Sequence, residues 1–169
     1  EAEVRSVLAA DGARTEAIRL PQLKLLLLPQ NLALFIESGL AKQDRPSFLS
    51  QKELFDAYWN AKHSALSAGW PAEAGQWKAI LETLTGAMNG AQELSVPKAL
   101  LDAFSPRFLS AMVSAGVLTF DGRRYGFGHE SFFDYCFART FSAGRQDLHE
   151  FLENDPQHLF RRAQTRQVL

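Results

Sequence analysis

Residues 117–138 read VLTFDGRRYGFGHESFFDYCFA, which is two strand-like segments followed by an amphipathic segment of helical spacing. The strand-like segments are residues 117–120 and 124–127, and both contain aromatic side chains that favour strands. The Asp121-Gly122 pair between them is typical of a tight β-hairpin turn. The sequence therefore predicts a hairpin whose second strand passes directly into a helix.

Three helices are predicted upstream of this hairpin, over residues 71–88, 96–104 and 106–115. Each has a proline in its first turn, where the fixed φ and the missing N–H of proline suit a helix start. A further helix is predicted over residues 131–141, and one or two C-terminal helices within 147–169. Three helices followed by a hairpin is the order of a winged helix. The predicted fold class is therefore mainly α, with a small β-hairpin as the wing.

The N-terminal part of the chain also has helical spacing. A first helix is predicted over residues 2–10, and a second over residues 20–28. Pro29 follows the second helix, and a further apolar periodic stretch continues to about residue 38. Because proline lacks an N–H and clashes with the preceding turn, Pro29 is predicted to break or kink this region.

Ser50 and Glu53 form the sequence signature of a capping box at the start of a helix over residues 51–67. In this motif the hydroxyl and the carboxylate each accept a hydrogen bond from a free backbone N–H. The preceding residues 42–46 are polar and rich in turn formers. They predict a boundary between an N-terminal helical region and the part that contains the winged helix.

Composition gives no support to several function classes. The chain has 18 basic and 19 acidic residues and a formal net charge of -1, so no overall charge points to nucleic acid or an anionic membrane. The single cysteine, Cys136, cannot form an internal disulfide, which fits a reducing compartment. The longest aliphatic run, Leu25–Leu28, is too short to cross a bilayer. We expect a cytoplasmic protein without a membrane partner.

The sequence contains no recognisable autonomous active site. It lacks a glycine-rich loop ending in Gly-Lys-Ser/Thr, so it has no P-loop for a triphosphate. No histidine or cysteine pairs have zinc-ligand spacing. Cys136 and His129 are seven residues apart, about 10 Å along a helix axis, which is too far for a catalytic hydrogen bond. We predict no catalytic residue, no metal ligand and no enzymatic activity for this chain alone.

His129 is the one candidate for specific chemistry. It lies where the second predicted strand passes into the helix over residues 131–141. A helix N-terminus presents free N–H groups and a positive dipole end, and an imidazole beside it suits an anion such as phosphate. Spacing alone favours a capping or partly buried histidine that holds no ligand.

The residues around His129 carry a family pattern of aromatic, histidine, acidic and alanine positions: Tyr125, Phe127, His129, Phe132, Asp134, Tyr135 and Ala138. This pattern resembles the end of the winged-helix domain in STAND-class NTPases, particularly the NACHT branch. In that family the histidine contacts the β-phosphate of bound ADP and helps to hold the protein closed and inactive. The resemblance implies that His129 senses the nucleotide state and takes no part in catalysis.

A second segment, residues 25–34, resembles the helical lid that follows the P-loop core in STAND proteins. A proline near this place in the family packs against the adenine, which implies an adenine contact for Pro29; a simple helix break is the alternative. The implied domains are a helical lid region over 1–45, a winged-helix domain over 46–143 and the start of a C-terminal helical region over 144–169.

The resemblance implies a regulatory, nucleotide-sensing fragment of an NTPase involved in signalling or defence. The P-loop core would lie upstream in the same chain as its partner, and the parent protein would be an ATPase capable of self-association. ADP or ATP would be the cofactor of the parent, and the isolated fragment would have none.

Two other classes of function remain open. One is a free-standing DNA-binding winged helix, with the helix over 106–115 as recognition helix and Arg123 and Arg124 in the wing; this helix offers only Arg107 and Ser110 for base or phosphate contacts. The other is a helical scaffold for protein interactions. It would use the aromatic faces of the helices over 51–67 and 131–141, although such stripes are more often core.

Overall fold

The computed structural model describes residues 2–13 and 15–143. The chain forms two compact units, Glu1–Ala65 and Leu66–Leu169. The helices predicted within residues 144–169, and the domain assigned to that segment, lie outside the described residues.

The first unit is entirely helical in its described part. Its helices are α1 (Ala2–Ala10), α2 (Leu20–Leu25), α3 (Pro29–Glu37) and the first part of α4 (Gln51–Gly69), which continues into the second unit. Short 3-10 turns, Thr15–Ala17 and Leu40–Lys42, lie between them. The side chains that are fully removed from solvent here include Leu8, Leu23, Leu26, Leu34, Phe35, Phe48, Leu54 and Phe55.

Pro29 separates α2 from α3, as the sequence predicts. The predicted helix over 20–28 ends at Leu25, and Leu28 adopts an extended conformation with φ -79° and ψ 121°. Extended backbone is what proline imposes on the residue before it. Pro29 then occupies the first position of α3, where its missing N–H costs nothing.

Two buried amides fasten the first unit. The Nδ2 group of Asn31 donates to the Leu25 carbonyl at 2.9 Å, and its Oδ1 accepts from Gln51 Nε2 at 3.1 Å. Gln22 Nε2 donates to the carbonyls of Pro46 and Phe48 at 2.9 and 3.1 Å. These contacts connect α3 with α2 and with the first residue of α4, and α2 with the segment before α4.

The predicted capping box at the start of α4 is present in altered form. The Ser50 hydroxyl accepts from the Glu53 N–H at 3.2 Å, as expected. The Glu53 carboxylate, however, accepts from the N–H of Leu49 at 2.7 Å. The motif predicts a bond from the N–H of Ser50, so the carboxylate binds the N–H of the residue before it.

The second unit combines helices with a three-stranded sheet. Its elements after α4 are α5 (Gln76–Ala91), β1 (Ser95–Pro97), a 3-10 turn (Lys98–Leu101), α6 (Pro106–Ser114), β2 (Leu118–Phe120), β3 (Arg124–Phe127) and α7 (Glu130–Ala143). The strands are antiparallel in the order β1-β3-β2. The predicted fold class, mainly α with a small hairpin wing, is confirmed, and the element order is that of a winged helix.

Two predicted helices differ from the structure. Residues 96–104 do not form one helix, because Val96 pairs with Tyr125 in the sheet and only Lys98–Leu101 forms a short 3-10 turn. The prediction is wrong because β1 forms by pairing with β3, which is distant in the sequence, and local spacing does not reveal such pairing. The helix predicted from residue 71 begins at Gln76, after a run of turns.

The core of the second unit lies between α5, α6, α7 and the sheet. Its buried side chains follow helical spacing in each helix: Trp77, Ile80, Leu81, Leu84 and Met88 in α5, Phe108, Leu109 and Met112 in α6, and Phe132, Phe133, Cys136 and Phe137 in α7. Val96, Tyr125 and Phe127 join them from the sheet. This core fixes where β3 ends and α7 begins.

Candidate functional site

His129 lies between strand β3 and helix α7, where the sequence predicts it. Its backbone carbonyl accepts the N–H of Phe132 at 3.0 Å, so His129 occupies the capping position immediately before Glu130. The residue is partly exposed. The first N–H groups of a helix point out past its capping residue, and together with an imidazole they can bind an anionic oxygen.

Gly128, directly before His129, fits its place only because it has no side chain. A Cβ at Gly128 would lie 1.9 Å from the carbonyl oxygen of Gly116 and 2.9 Å from its carbonyl carbon. The N–H of Gly128 donates to the carbonyl of Val117 at 2.9 Å. The backbone leading into His129 is therefore held against the segment that follows α6.

Residues 116 and 117, which follow α6, are held by hydrogen bonds to the last turn of the helix. Gly116 adopts a left-handed conformation with φ +74°, and its N–H donates to the Val113 carbonyl at 2.9 Å. The N–H of Val117 donates to the Met112 carbonyl at 3.0 Å. These two bonds make a Schellman motif, in which glycine is the usual residue because the left-handed conformation is strained for others.

Aromatic packing sets the angle between β3 and α7. The ring of Phe127 lies 5.9 Å from the rings of both Phe132 and Phe133, edge-on to the first. Phe132 also stacks on Tyr135 at 5.7 Å, and Arg139 donates to the Tyr135 hydroxyl at 2.8 Å. His129 is thus carried by a rigid junction, which favours a fixed contact with a ligand.

Asp134 is the electrostatically unusual residue near this junction. Partial burial on α7, and secondarily the like charge of Glu130 one turn earlier, raise the pKa of Asp134 from 3.8 to about 7. Near neutral pH a large fraction of the Asp134 carboxyl is therefore protonated. This lowers the negative charge of the first turns of α7.

Pro29 belongs to the first unit, whereas His129 belongs to the second. Pro29 is exposed at the start of α3, and the two residues before it, Leu27 and Leu28, are 45% and 53% exposed. Exposed leucines beside a proline form a small apolar surface. Such a surface suits the face of a planar ring.

The described residues offer no alternative centre of metal or thiol chemistry. In residues 2–13 and 15–143 no group of three or more histidine, cysteine or acidic residues could hold a metal ion. Burial raises the pKa of the Cys136 thiol well above its ordinary value, so the sulfur stays protonated and unreactive. Within the same ranges, no helix has both the length and the apolarity needed to span a bilayer.

Comparisons with protein-family models, with curated proteins and with solved structures found no match to this chain. Its function is therefore inferred from the residues and their geometry.

Sequence reasoning missed two features of the site. It gave no role to Gly128, although a glycine between an aromatic strand and a helix is a signal of close backbone approach. It also gave no chemistry to Asp134, although a carboxylate between Phe133 and Tyr135 stands in an otherwise apolar run. Both signals were local and could have been used.

Proposed function

We propose that this chain is a nucleotide-state-sensing regulatory segment of a STAND-class NTPase of the NACHT type. In this proposal His129 contacts a phosphate of ADP, and the P-loop core upstream in the same parent chain supplies the remaining walls of the site. The parent would be a cytoplasmic ATPase in signalling or defence, able to self-associate. This segment would contribute no catalytic group.

The observation that carries the proposal is the position of His129. It caps the helix that directly follows the wing of a winged helix, as the family pattern requires. The glycine contact before it and the phenylalanine cluster after it hold its backbone in place. A fixed backbone at His129 reduces the conformational entropy that is lost when its imidazole binds a phosphate oxygen.

The proposed mechanism is a switch based on differential contact. ADP would bridge the P-loop core and His129 and so favour the closed state. Exchange for ATP would change the position of the phosphates and remove that preference. A ligand shifts such an equilibrium only by the difference in its affinity for the two states. One charge-assisted hydrogen bond is sufficient for roughly a tenfold shift.

Pro29 would contribute an apolar contact to the adenine. The exposed side chains of Leu27, Leu28 and Pro29 support this role, because an adenine face could cover apolar surface that now meets solvent. Such a contact is present with both ADP and ATP. It would therefore add affinity without discriminating between the two nucleotides.

The two alternative functions have less support. For DNA binding, the exposed side chains of α6 include a single cation, Arg107, which is little charge for phosphate contacts. For a scaffold, the aromatic residues of α7 at Phe132, Phe133, Phe137 and Phe141 are buried and leave no docking surface on that stripe. Nucleotide sensing is the function that the site supports best.

The proposal is tested by the rate at which ADP leaves the parent protein. A fluorescent ADP analogue is loaded, and its release is followed after addition of excess unlabelled ADP. His129→Asn is the informative variant, because asparagine is a good helix cap but lacks the imidazole. We expect release about tenfold faster than in the wild type, with unchanged thermal stability.

A matched histidine provides the control. His63 lies on α4 in the first unit and is partly exposed like His129, so His63→Ala should leave the release rate unchanged. Equal release rates for the wild type and His129→Asn would refute the phosphate contact. A parent protein that binds no nucleotide would refute the proposal as a whole.

A further inference from the structure

An open cleft lies beside α6, in the second unit. It has a volume of about 620 Å³, and its lining consists of Leu66, Trp70, Arg107, Ser110, Ala111, Ser114 and Ala115. The volume is within the range of small-ligand sites, roughly 300–1,000 Å³. The cleft includes neither His129 nor Pro29, so it is separate from the residues proposed to contact the nucleotide.

The α6 side of the cleft is a continuous stripe along the helix. The lining residues from Arg107 to Ala115 recur every three or four positions, which places them on one face. At 1.5 Å per residue this stripe is roughly 12 Å long. Ala111 lies in the middle of this stripe and Ala115 at its end, while Leu66, near the end of α4, and Trp70, just after α4, complete the lining.

Arg107 is the single charged residue in this lining, and it stands at one end of the stripe. Within the described part of the chain its guanidinium forms no hydrogen bond or ion pair. An unpaired guanidinium presents a planar fork of donors that matches a carboxylate in bidentate geometry. One such fork fits one monoanionic group and is too little charge for a polyphosphate or nucleic acid.

The backbone that carries Arg107 is well anchored. The Ser105 hydroxyl caps α6 by accepting from the Phe108 N–H at 3.4 Å. The N–H of Ser105 donates to Gln76 Oε1 on α5 at 2.9 Å. The first turn of α6 is thereby fastened to the core, so the guanidinium is attached to a fixed point at the end of the cleft.

The remaining polar groups are few and uncharged. Ser110 Oγ donates to the Pro106 carbonyl at 2.9 Å and keeps only its acceptor capacity. The Ser114 hydroxyl makes no hydrogen bond within the described residues. It can therefore form a hydrogen bond with a second polar atom of a ligand, at the end of the stripe away from Arg107.

We infer that this cleft binds a carboxylate carried on a flat apolar body, with Arg107 pairing the carboxylate and Trp70, Leu66 and Ala111 covering the apolar part. The carboxylate can belong to a free aromatic acid or to the C-terminal residue of a peptide. Both sources offer one negative charge beside an apolar group, and the experiment separates them.

The test is an NMR titration of the 169-residue chain labelled with 15N. The free-acid probe is 4-biphenylacetate, and its uncharged analogue is 4-biphenylacetamide. The peptide probe is Gly-Gly-Phe with a free C-terminus, compared with its C-terminal amide. The indole N–H signal of Trp70 is the readout, because Trp59 and Trp77 are buried and do not line the cleft.

We expect one of the two acids to shift the Trp70 signal with a dissociation constant of at most a few millimolar, and its amide to bind about tenfold more weakly. Arg107→Gln should weaken the acid by a similar factor, and Arg123→Gln, on the exposed wing, should not. Tighter binding of 4-biphenylacetate identifies a free acid as the ligand source, and tighter binding of the peptide identifies a chain end.

Three results would overturn the inference. The first is no shift of the Trp70 signal by either acid at concentrations on the order of 10 mM. The second is equal affinity for an acid and its amide, or for the wild type and Arg107→Gln with 4-biphenylacetate. The third is duplex DNA shifting the Trp70 signal at low salt when neither acid does, which would assign this face to nucleic acid.

Discussion

Gly128 approaches the carbonyl oxygen of Gly116 so closely that a Cβ at residue 128 would lie 1.9 Å from it. The contact joins the end of α6 to the junction between β3 and α7. It involves backbone atoms on both sides, so no flexible side chain can move away to relieve it. The placement of His129, one residue later, depends on this contact.

Gly128→Ala should therefore destabilise the second unit. The added methyl group must push β3 away from the end of α6, and overpacking of this kind costs about 1–3 kcal/mol or more. Urea unfolding followed by circular dichroism measures the change. The control is Gly86→Ala in α5, where a Cβ meets nothing within 4 Å and the helix should gain about 0.5–1 kcal/mol. Equal stability of Gly128→Ala and the wild type would show that the contact is easily relieved.

The hairpin and the strand-to-helix junction could be predicted because their signals are local. Asp121 and Gly122 specify the turn: Asp121 Oδ1 accepts from the N–H groups of Arg123 and Arg124 at 2.8 and 2.7 Å, and Gly122 has φ +96°. The Asp121 pKa is lowered by the same backbone N–H groups, which favour its ionised form. Turn chemistry of this kind is fully contained in four residues.

Strand β1 could not be predicted, because the strand that it pairs with is distant in the sequence. Residues Ser95–Pro97 pair with β3 about thirty positions later, and Arg124 reaches back to donate to Ser95 Oγ at 2.7 Å and to pair with Glu93. Three residues are too few to show the alternation of a strand. The cleft beside α6 could not be predicted for a similar reason, since α6 and Trp70 are brought together only in the folded unit.

Asp134 should make the stability of the second unit depend on pH. Its pKa is about 7 in the folded protein and is taken as its ordinary 3.8 when unfolded, so the folded state binds more protons between these values. Wild-type stability should accordingly fall as pH rises from about 4 to about 7 and then level off. Because the carboxyl is partly solvated, we expect a change of only about 1–2 kcal/mol.

Asp134→Asn should remove this dependence and raise stability at pH 8 by the same amount. Urea unfolding at pH 5 and pH 8 measures both effects. Glu130→Gln provides the second comparison, because loss of the like charge should lower the Asp134 pKa and move the pH-dependent window to lower pH. Parallel pH profiles for the wild type and Asp134→Asn would contradict this account.

Asn31 should contribute substantially to the stability of the first unit. Asn31→Ala leaves the Leu25 carbonyl and the Gln51 amide without these partners, at a cost of about 1–3 kcal/mol. Asn60→Ala, on an exposed position of α4, is the matched control and should be neutral or slightly stabilising. Hydrogen exchange in α2 and α3 follows the effect, and unchanged protection in Asn31→Ala would show that the amide contacts are dispensable.

The central claim is that His129 holds ADP in a parent protein that carries a P-loop core. The most direct measurement is the ADP content of the purified parent, determined by chromatography of the acid-released nucleotide, for the wild type and His129→Asn. We predict close to one ADP per chain in the wild type and a marked loss in the variant, with the fold intact. Equal ADP content in the two proteins, or a parent that has neither a P-loop nor bound nucleotide, would contradict the account.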